Sequence, residues 1–335
     1  MKILPFNSTP SIKNYQLKAF ELGIIEAYEK NIKPWIYNKY INQLYMVKDK
    51  RFSFTNYDRW HASEGVTECQ KLCVKASMLE SKECGIDILQ LIHDMINTGH
   101  YVYGRYNEYY IPKKSSYQIK YYVHDFLIYG YDDAKQIYYS AGYLFDRKYQ
   151  AFTIPYSNFY NSLKSVTTEK LNFHFIRYKN GINNSLDLRT IYEDLFDYLH
   201  SINRRNIVNY GKVFGISCEN MFVEYLKQLY QEKELNSVDM RHVKLFLELK
   251  TLMSERLAYL EEQSYLKVGI SERYDKIRKK EELISLLSLK YNLHGNKNIL
   301  LQLMELQNEI INEEREILTL VLNQLDIGAA RCRRN

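Results

Sequence analysis

The sequence predicts an α+β protein, strand-rich in its N-terminal part and mostly helical after it. Three observations carry this reading. From Thr98 to Tyr143, aromatic and β-branched runs alternate with turn signals such as Gly130-Tyr-Asp-Asp133, the residue types that suit a pleated, half-buried surface. Fourteen of the 32 tyrosines lie between Tyr101 and Tyr149, so the enrichment follows the sheet. From Leu188 onward, apolar residues recur at helical spacing.

A chain of 335 residues is long enough for two ordinary domains. The polar stretch Lys164 to Thr168 marks the change of character. The expected division is a domain over residues 1–165, a helical domain over 166–330, and a basic tail over 331–335.

Taken in order, residues 1–10 form an irregular lead-in, and Ser11 is placed to cap a helix. Tyr15, Leu17, Phe20, Ile24, Ile25 and Tyr28 supply that helix's apolar stripe, with Gly23 marking close packing. A second element runs from Pro34 to Tyr45, and Lys48 to Trp60 is polar and turn-like. Val66 to Leu79 is predicted helical, which puts Cys69 and Cys73 on one face. Two small apolar packing residues explain those cysteines, since no second pair stands at zinc-site spacing. Asp87 to Asn97 is an amphipathic helix that Thr98-Gly99 ends. Strands follow over Tyr101–Tyr106, Tyr117–Tyr129 and Gln136–Ser140, then Lys148–Ile154, a short helix from Pro155, and a strand over Leu171–Tyr178. With a hairpin turn centred near Asp132 or Asp133, the residue opposite His124 falls between Ala141 and Tyr143. Long helices then cover Asp239–Leu260, Tyr274–Tyr291 and Ile299–Leu325. In the last of these, Leu303, Ile310 and Ile317 repeat every seven residues, the pattern of a packed bundle or of a helical partner interface.

Composition narrows the function classes. Hydrophobic content of 46% with 26% charged residues is that of a soluble globular chain. The net charge of +6 is spread among acidic residues, so a solvated surface explains it better than nucleic acid does. No apolar run approaches the roughly 20 residues that span a bilayer. The opening Met1 to Asn7 lacks the apolar core of a signal peptide. Five cysteines, an odd number, argue against a disulfide framework. A cytoplasmic location without membrane attachment is expected. No phosphate loop, dinucleotide fingerprint, His-Glu-x-x-His or Gly-x-Ser-x-Gly is present, and no cofactor or metal is expected.

His124 opens a strand that leads to Gly-Tyr-Asp-Asp. That placement fits a site in which a cysteine at a helix start attacks an acyl group. The strand histidine takes the cysteine's proton, and an Asp or Asn orients the ring. A structural histidine bonded to backbone is the plainer reading.

The same residues carry a resemblance. Gly99, the strand Tyr101–Tyr106, Asn107-Glu-Tyr-Tyr-Ile-Pro112, His124 and Gly130-Tyr-Asp-Asp133 together resemble the N-terminal domain of the butirosin biosynthesis protein H family. The resemblance implies a papain-like, cysteine-peptidase-type domain followed by a mostly helical one. It further implies an accessory protein of specialised-metabolite biosynthesis, of non-ribosomal peptide or polyketide type, that handles acyl or peptidyl groups on a carrier protein. The family's nucleophile is expected within Ser11 to Tyr15, where no cysteine stands, and its orienting acid within Ala141-Gly-Tyr143. Where the family has an aspartate before Tyr-Tyr-Ile-Pro, this chain has Asn107. A degenerate Cys-His-Asp site is therefore expected, with His124 retained and Ser11 the one substitute nucleophile. The ring of His124 is expected to face the first helix, nearest Ser11, Asn14 or Tyr15. Asn14, Tyr15, Asn107 and Tyr110 are the candidate cleft residues. Two alternatives accompany this reading. One is a non-catalytic scaffold that binds partners, or a second copy, through the long C-terminal helices. The other is an acyltransferase or amide-forming enzyme whose nucleophile has moved to Cys69 or Cys73.

Overall fold

The computed structural model describes residues 1–54, 69–75, 87–167, 172–179, 181–204, 211–232 and 236–332. In chain order the strands are β1 (Lys2–Ile3), β2 (Gln43–Met46), β3 (Arg51–Phe54), β4 (Cys69–Lys75), β5 (Tyr101–Asn107), β6 (Val123–Asp132), β7 (Ile137–Tyr143), β8 (Tyr149–Pro155), β9 (Asn172–Tyr178) and β10 (Lys212–Phe214). The helices are α1 (Gln16–Tyr28), α2 (Lys33–Tyr37), α3 (Ile88–Asn97), α4 (Tyr156–Lys164), α5 (Leu188–His200), α6 (Ser217–Gln231), α7 (Met240–Glu262), α8 (Ile270–His294) and α9 (Asn298–Cys332). The protein is α+β, as its residue patterns predict.

The chain folds into two compact units, and neither is continuous in sequence. One takes Met1–Ile32 and His61–Ile182, the other Lys33–Trp60 and Asn183–Asn335. The expected linear boundary near residue 165 is thereby corrected. Pairing is the physical reason: β9 is hydrogen-bonded to β5 and cannot leave its sheet, while β2 pairs with β10. Of the basic tail, residues 333–335 lie outside the described residues.

The first unit is built on an antiparallel sheet of order β4-β9-β5-β6-β7-β8, with β1 added beside β6. Phe20 of α1 packs on Tyr103 and Tyr149. Phe159 of α4 packs on Tyr106, Phe126 and Tyr138, and His93 of α3 stacks on Tyr131 at 4.1 Å. The tyrosine enrichment is thus a layer of ring contacts on the sheet. Cys69–Lys75, predicted helical, is a strand. A spacing of four keeps two residues on one side in both geometries, so pairing with β9 decided the outcome. Residues 66–68 and 76–79 of that predicted helix lie outside the described residues.

The second unit holds a three-stranded sheet, β10-β2-β3, and helices α2 and α5 to α9. The single element predicted over Pro34–Tyr45 divides into α2 and β2, and the polar stretch after it contains β3. Residues 55–60 of that stretch lie outside the described residues. Asp187 caps α5 and Asp239 caps α7, each accepting a backbone N–H two or three residues on. The heptad residues of α9 point inward: Leu303 and Ile310 are fully buried and Ile317 nearly so. That stripe is spent on the bundle, so it cannot serve as the partner interface that its spacing also allowed.

Candidate functional site

The site forms where the start of α1 meets the start of β6. Gln16, the first helical residue, has no sequence signal of its own. Its side-chain oxygen accepts the Tyr143 N–H at 3.0 Å, and its amide nitrogen donates to the Asp125 carbonyl at 3.0 Å. Those two backbone partners fix which way the amide points. The same nitrogen lies 3.2 Å from Nδ1 of His124. That nitrogen can only donate to Nδ1, whereas the Glu108 carboxylate oxygen, an acceptor, approaches the same ring atom, so the two neighbours ask opposite roles of Nδ1.

Glu108 opens the short 3-10 turn Glu108–Tyr110 that follows β5. Its Oε1 is 3.1 Å from the Lys114 ammonium and 3.6 Å from Nδ1 of His124. Lys114 also donates to the Tyr143 carbonyl at 2.7 Å and stands over the Phe126 and Phe152 rings. Burial pushes the Glu108 carboxyl up, but the His124 contact and the Lys114 charge outweigh it, so the group sits below the ordinary carboxylate value. Burial holds the Lys114 ammonium below its usual value, and Glu108 offsets this only in part. The pair is almost wholly buried, whereas the His124 side chain is 39% exposed.

Beside them, Gly142 leaves room that a side chain would take. A Cβ there would stand 2.9 Å from the Gln16 oxygen and 3.4 Å from the Lys114 ammonium. The lysine thus occupies space on the β7 side of the site. The rim is apolar and aromatic. Tyr122 stacks on His124 at 5.6 Å, and Tyr109, Ile119, Tyr121 and Phe145 are exposed on the neighbouring loops.

The expected meeting of helix start and strand start is present, and His124 lies at its centre. Its contact on the helix is Gln16, one residue past the predicted Ser11–Tyr15 segment; the Lys13 carbonyl accepts the Tyr143 hydroxyl at 2.6 Å. Ser11 is not in the site. Its N–H donates to Glu26 at 3.0 Å, and Glu26 is ten residues beyond Gln16, about 15 Å along the helix. Nor does Ser11 cap α1, which starts after Tyr15 without a side-chain cap. Asn14 is buried just before that start. Asn107 is spent on structure, since its oxygen accepts the Tyr109 and Tyr122 N–H groups and its nitrogen donates to Ser165. Tyr110 lends its carbonyl to Asn158.

The carboxylate near the ring comes from before the hairpin, and it approaches Nδ1, the same nitrogen that Gln16 reaches, not the opposite side of the ring. β6 and β7 pair Asp132 with Ile137 and Leu127 with Ala141, so the register opposite His124 falls past Tyr143, the end of β7. Glu108 was readable from the other neighbour: β5 pairs Tyr106 with His124, and Glu108 is two residues on. The relocated-cysteine alternative fails on register. β9 and β5 stand between β4 and β6, a separation of about 14 Å across the sheet. Cys69 is moreover level with the Tyr101 end of β5, away from Tyr106.

Among the described residues no group of three or more His, Cys, Asp or Glu side chains is arranged to hold a metal ion. No helix among them is long and apolar enough to cross a membrane. Neither protein-family models nor curated proteins give a match to this chain.

Proposed function

We propose that this chain is a non-catalytic acyl- or peptidyl-group-binding protein, a papain-like domain whose Cys-His-acid site has become a closed hydrogen-bond network. On this reading it serves specialised-metabolite assembly and receives its ligand from an acyl or peptidyl carrier protein. One observation carries the inert part. The ring nitrogen that faces the helix start is met by the Gln16 amide, itself fixed by two backbone partners, and by the Glu108 carboxylate, so the position of a nucleophile is already filled. The sequence resemblance over Gly99–Asp133 supports the acyl part, and the exposed aromatic rim next to His124 supplies an apolar surface of the matching kind.

The test uses acyl-phosphopantetheine thioesters as mimics of a loaded carrier. Calorimetry follows binding and thiol release follows turnover. The expected result is saturable binding with no thiol release, and S-acylation of a Gln16→Cys variant that disappears when His124→Ala is added. Turnover by the unaltered protein that depends on His124 would overturn the inert reading. Absence of binding would overturn the acyl reading.

A further inference from the structure

The outward face of α8 changes character halfway along. Its N-terminal half carries an ordinary charged surface, in which Arg278 pairs with Asp275 and Glu282, and Lys279 with Asp275. Its C-terminal half exposes leucines instead: Leu283 at 43%, Leu286 at 64%, Leu289 at 45% and Leu293 at 79%. Their spacing places all four on the side opposite Ile277, Ile284 and Tyr291, which are buried. Such a stripe covers three turns of a helix whose other face already packs on α7 and α9. Isolated surface leucines need no explanation, but a contiguous stripe of them marks an interaction site.

Two charges interleaved with the leucines, one on each side of Leu286 along the helix, identify what fits the stripe. Glu282 stands four residues before Leu286 and Lys290 four residues after it. Glu282 is exposed and paired only with Arg278 of its own helix; Lys290 is exposed with no ion pair among the described residues. Two copies of α8 laid antiparallel, with the two-fold axis at Leu286, bring Leu286 against itself and Leu283 against Leu289. The same arrangement brings Glu282 against Lys290 twice. Leu293 then lies on the aliphatic stem of Lys279. A parallel arrangement would instead set Glu282 against Glu282 and Lys290 against Lys290, which repels. We infer that the C-terminal half of α8 is an isologous homodimer interface, with a second copy of this chain as its occupant. The self-complementary placement of residues is what a two-fold interface requires.

Sedimentation of the full chain over a micromolar concentration range tests this. A monomer–dimer equilibrium is expected, and Leu286→Glu should weaken it by about tenfold or more, as loss of a central apolar anchor does. Circular dichroism should be unchanged, because the residue is exposed. Glu282→Lys and Lys290→Glu should each weaken the dimer, and the two together should restore it. A monomer throughout, or a dimer indifferent to Leu286→Glu, overturns the interface. Failure of the double reversal to restore association overturns the antiparallel pairing with a second copy and leaves the face to another partner.

Discussion

At the scale of single residues, the site turns on two side chains with no motif value. Gln16 links α1 to β6 and β7 through the Asp125 carbonyl, the Tyr143 N–H and the His124 ring. Lys114 is held between Glu108 and the Tyr143 carbonyl. His124 was legible because it opens a strand before a clear turn. Gln16 and Lys114 were not, because an amide or an ammonium in a polar sequence context carries no sign that it will be buried. The Lys114–Glu108 pair makes a sharp prediction. Lys114→Met leaves the Glu108 carboxylate buried without its cation and should cost about 3–5 kcal/mol. Adding Glu108→Gln removes the stranded charge and should recover a good part of that loss. Urea denaturation of the single and double variants measures both; a double variant no more stable than Lys114→Met would show that the pair is not coupled.

At the scale of elements, period and pairing compete. The long helices were legible because a 3.6-residue stripe over many turns has one interpretation. Cys69–Lys75 was not, since its only periodic signal suits a strand as well. The residues flanking α1 show a finer constraint. The Asn7 N–H donates to the Gly23 carbonyl at 2.8 Å, and Phe6 stacks on Tyr129 at 4.9 Å. The lead-in thus crosses α1 at Gly23, where a Cβ would stand 2.6 Å from the Asn7 oxygen and 2.7 Å from the Phe6 ring. In an exposed helix, Gly→Ala gains up to about 1 kcal/mol. Here Gly23→Ala must displace the Asn7 backbone and the Phe6 ring and should cost about 1–3 kcal/mol. Thermal unfolding decides the sign, and a higher melting temperature for the variant would show that the crossing is loose.

At the scale of the molecule, the second unit buries more charge than its first-unit counterpart. Lys250 reaches Glu219 and Glu314, the Tyr198 hydroxyl lies 2.6 Å from Glu219 and 2.9 Å from Glu314, and Tyr274 also contacts Glu314. These groups come from α5, α6, α7, α8 and α9, so no local stretch of sequence announces them. Glu281 of α8 is fully buried in the same surroundings, and neither of its oxygens has a hydrogen-bond partner among the described residues. Burial raises its carboxyl from 4.5 to about 8, against the pull of Lys250 and with the help of Glu219 and Glu314. Burial likewise raises Glu219 to about 7. A raised carboxyl holds a proton in the folded state that the unfolded chain has already released. Its contribution to stability is therefore complete below about pH 4.5 and is lost as pH rises to about 8. His242 works the other way, because burial lowers it to about 4 and its contribution grows as pH rises toward 6.5. Lys250 is raised by its carboxylate partners despite burial, and so titrates well above this window. Glu281→Gln keeps the shape and removes only the first of these effects. Relative to the unaltered protein, that variant should gain stability progressively from pH 5 to pH 8.5. Denaturant midpoints across that range check this: the two curves should meet at the acid end and separate at the alkaline end. Parallel curves would mean that Glu281 is ionised in the folded protein and that its buried charge has a partner.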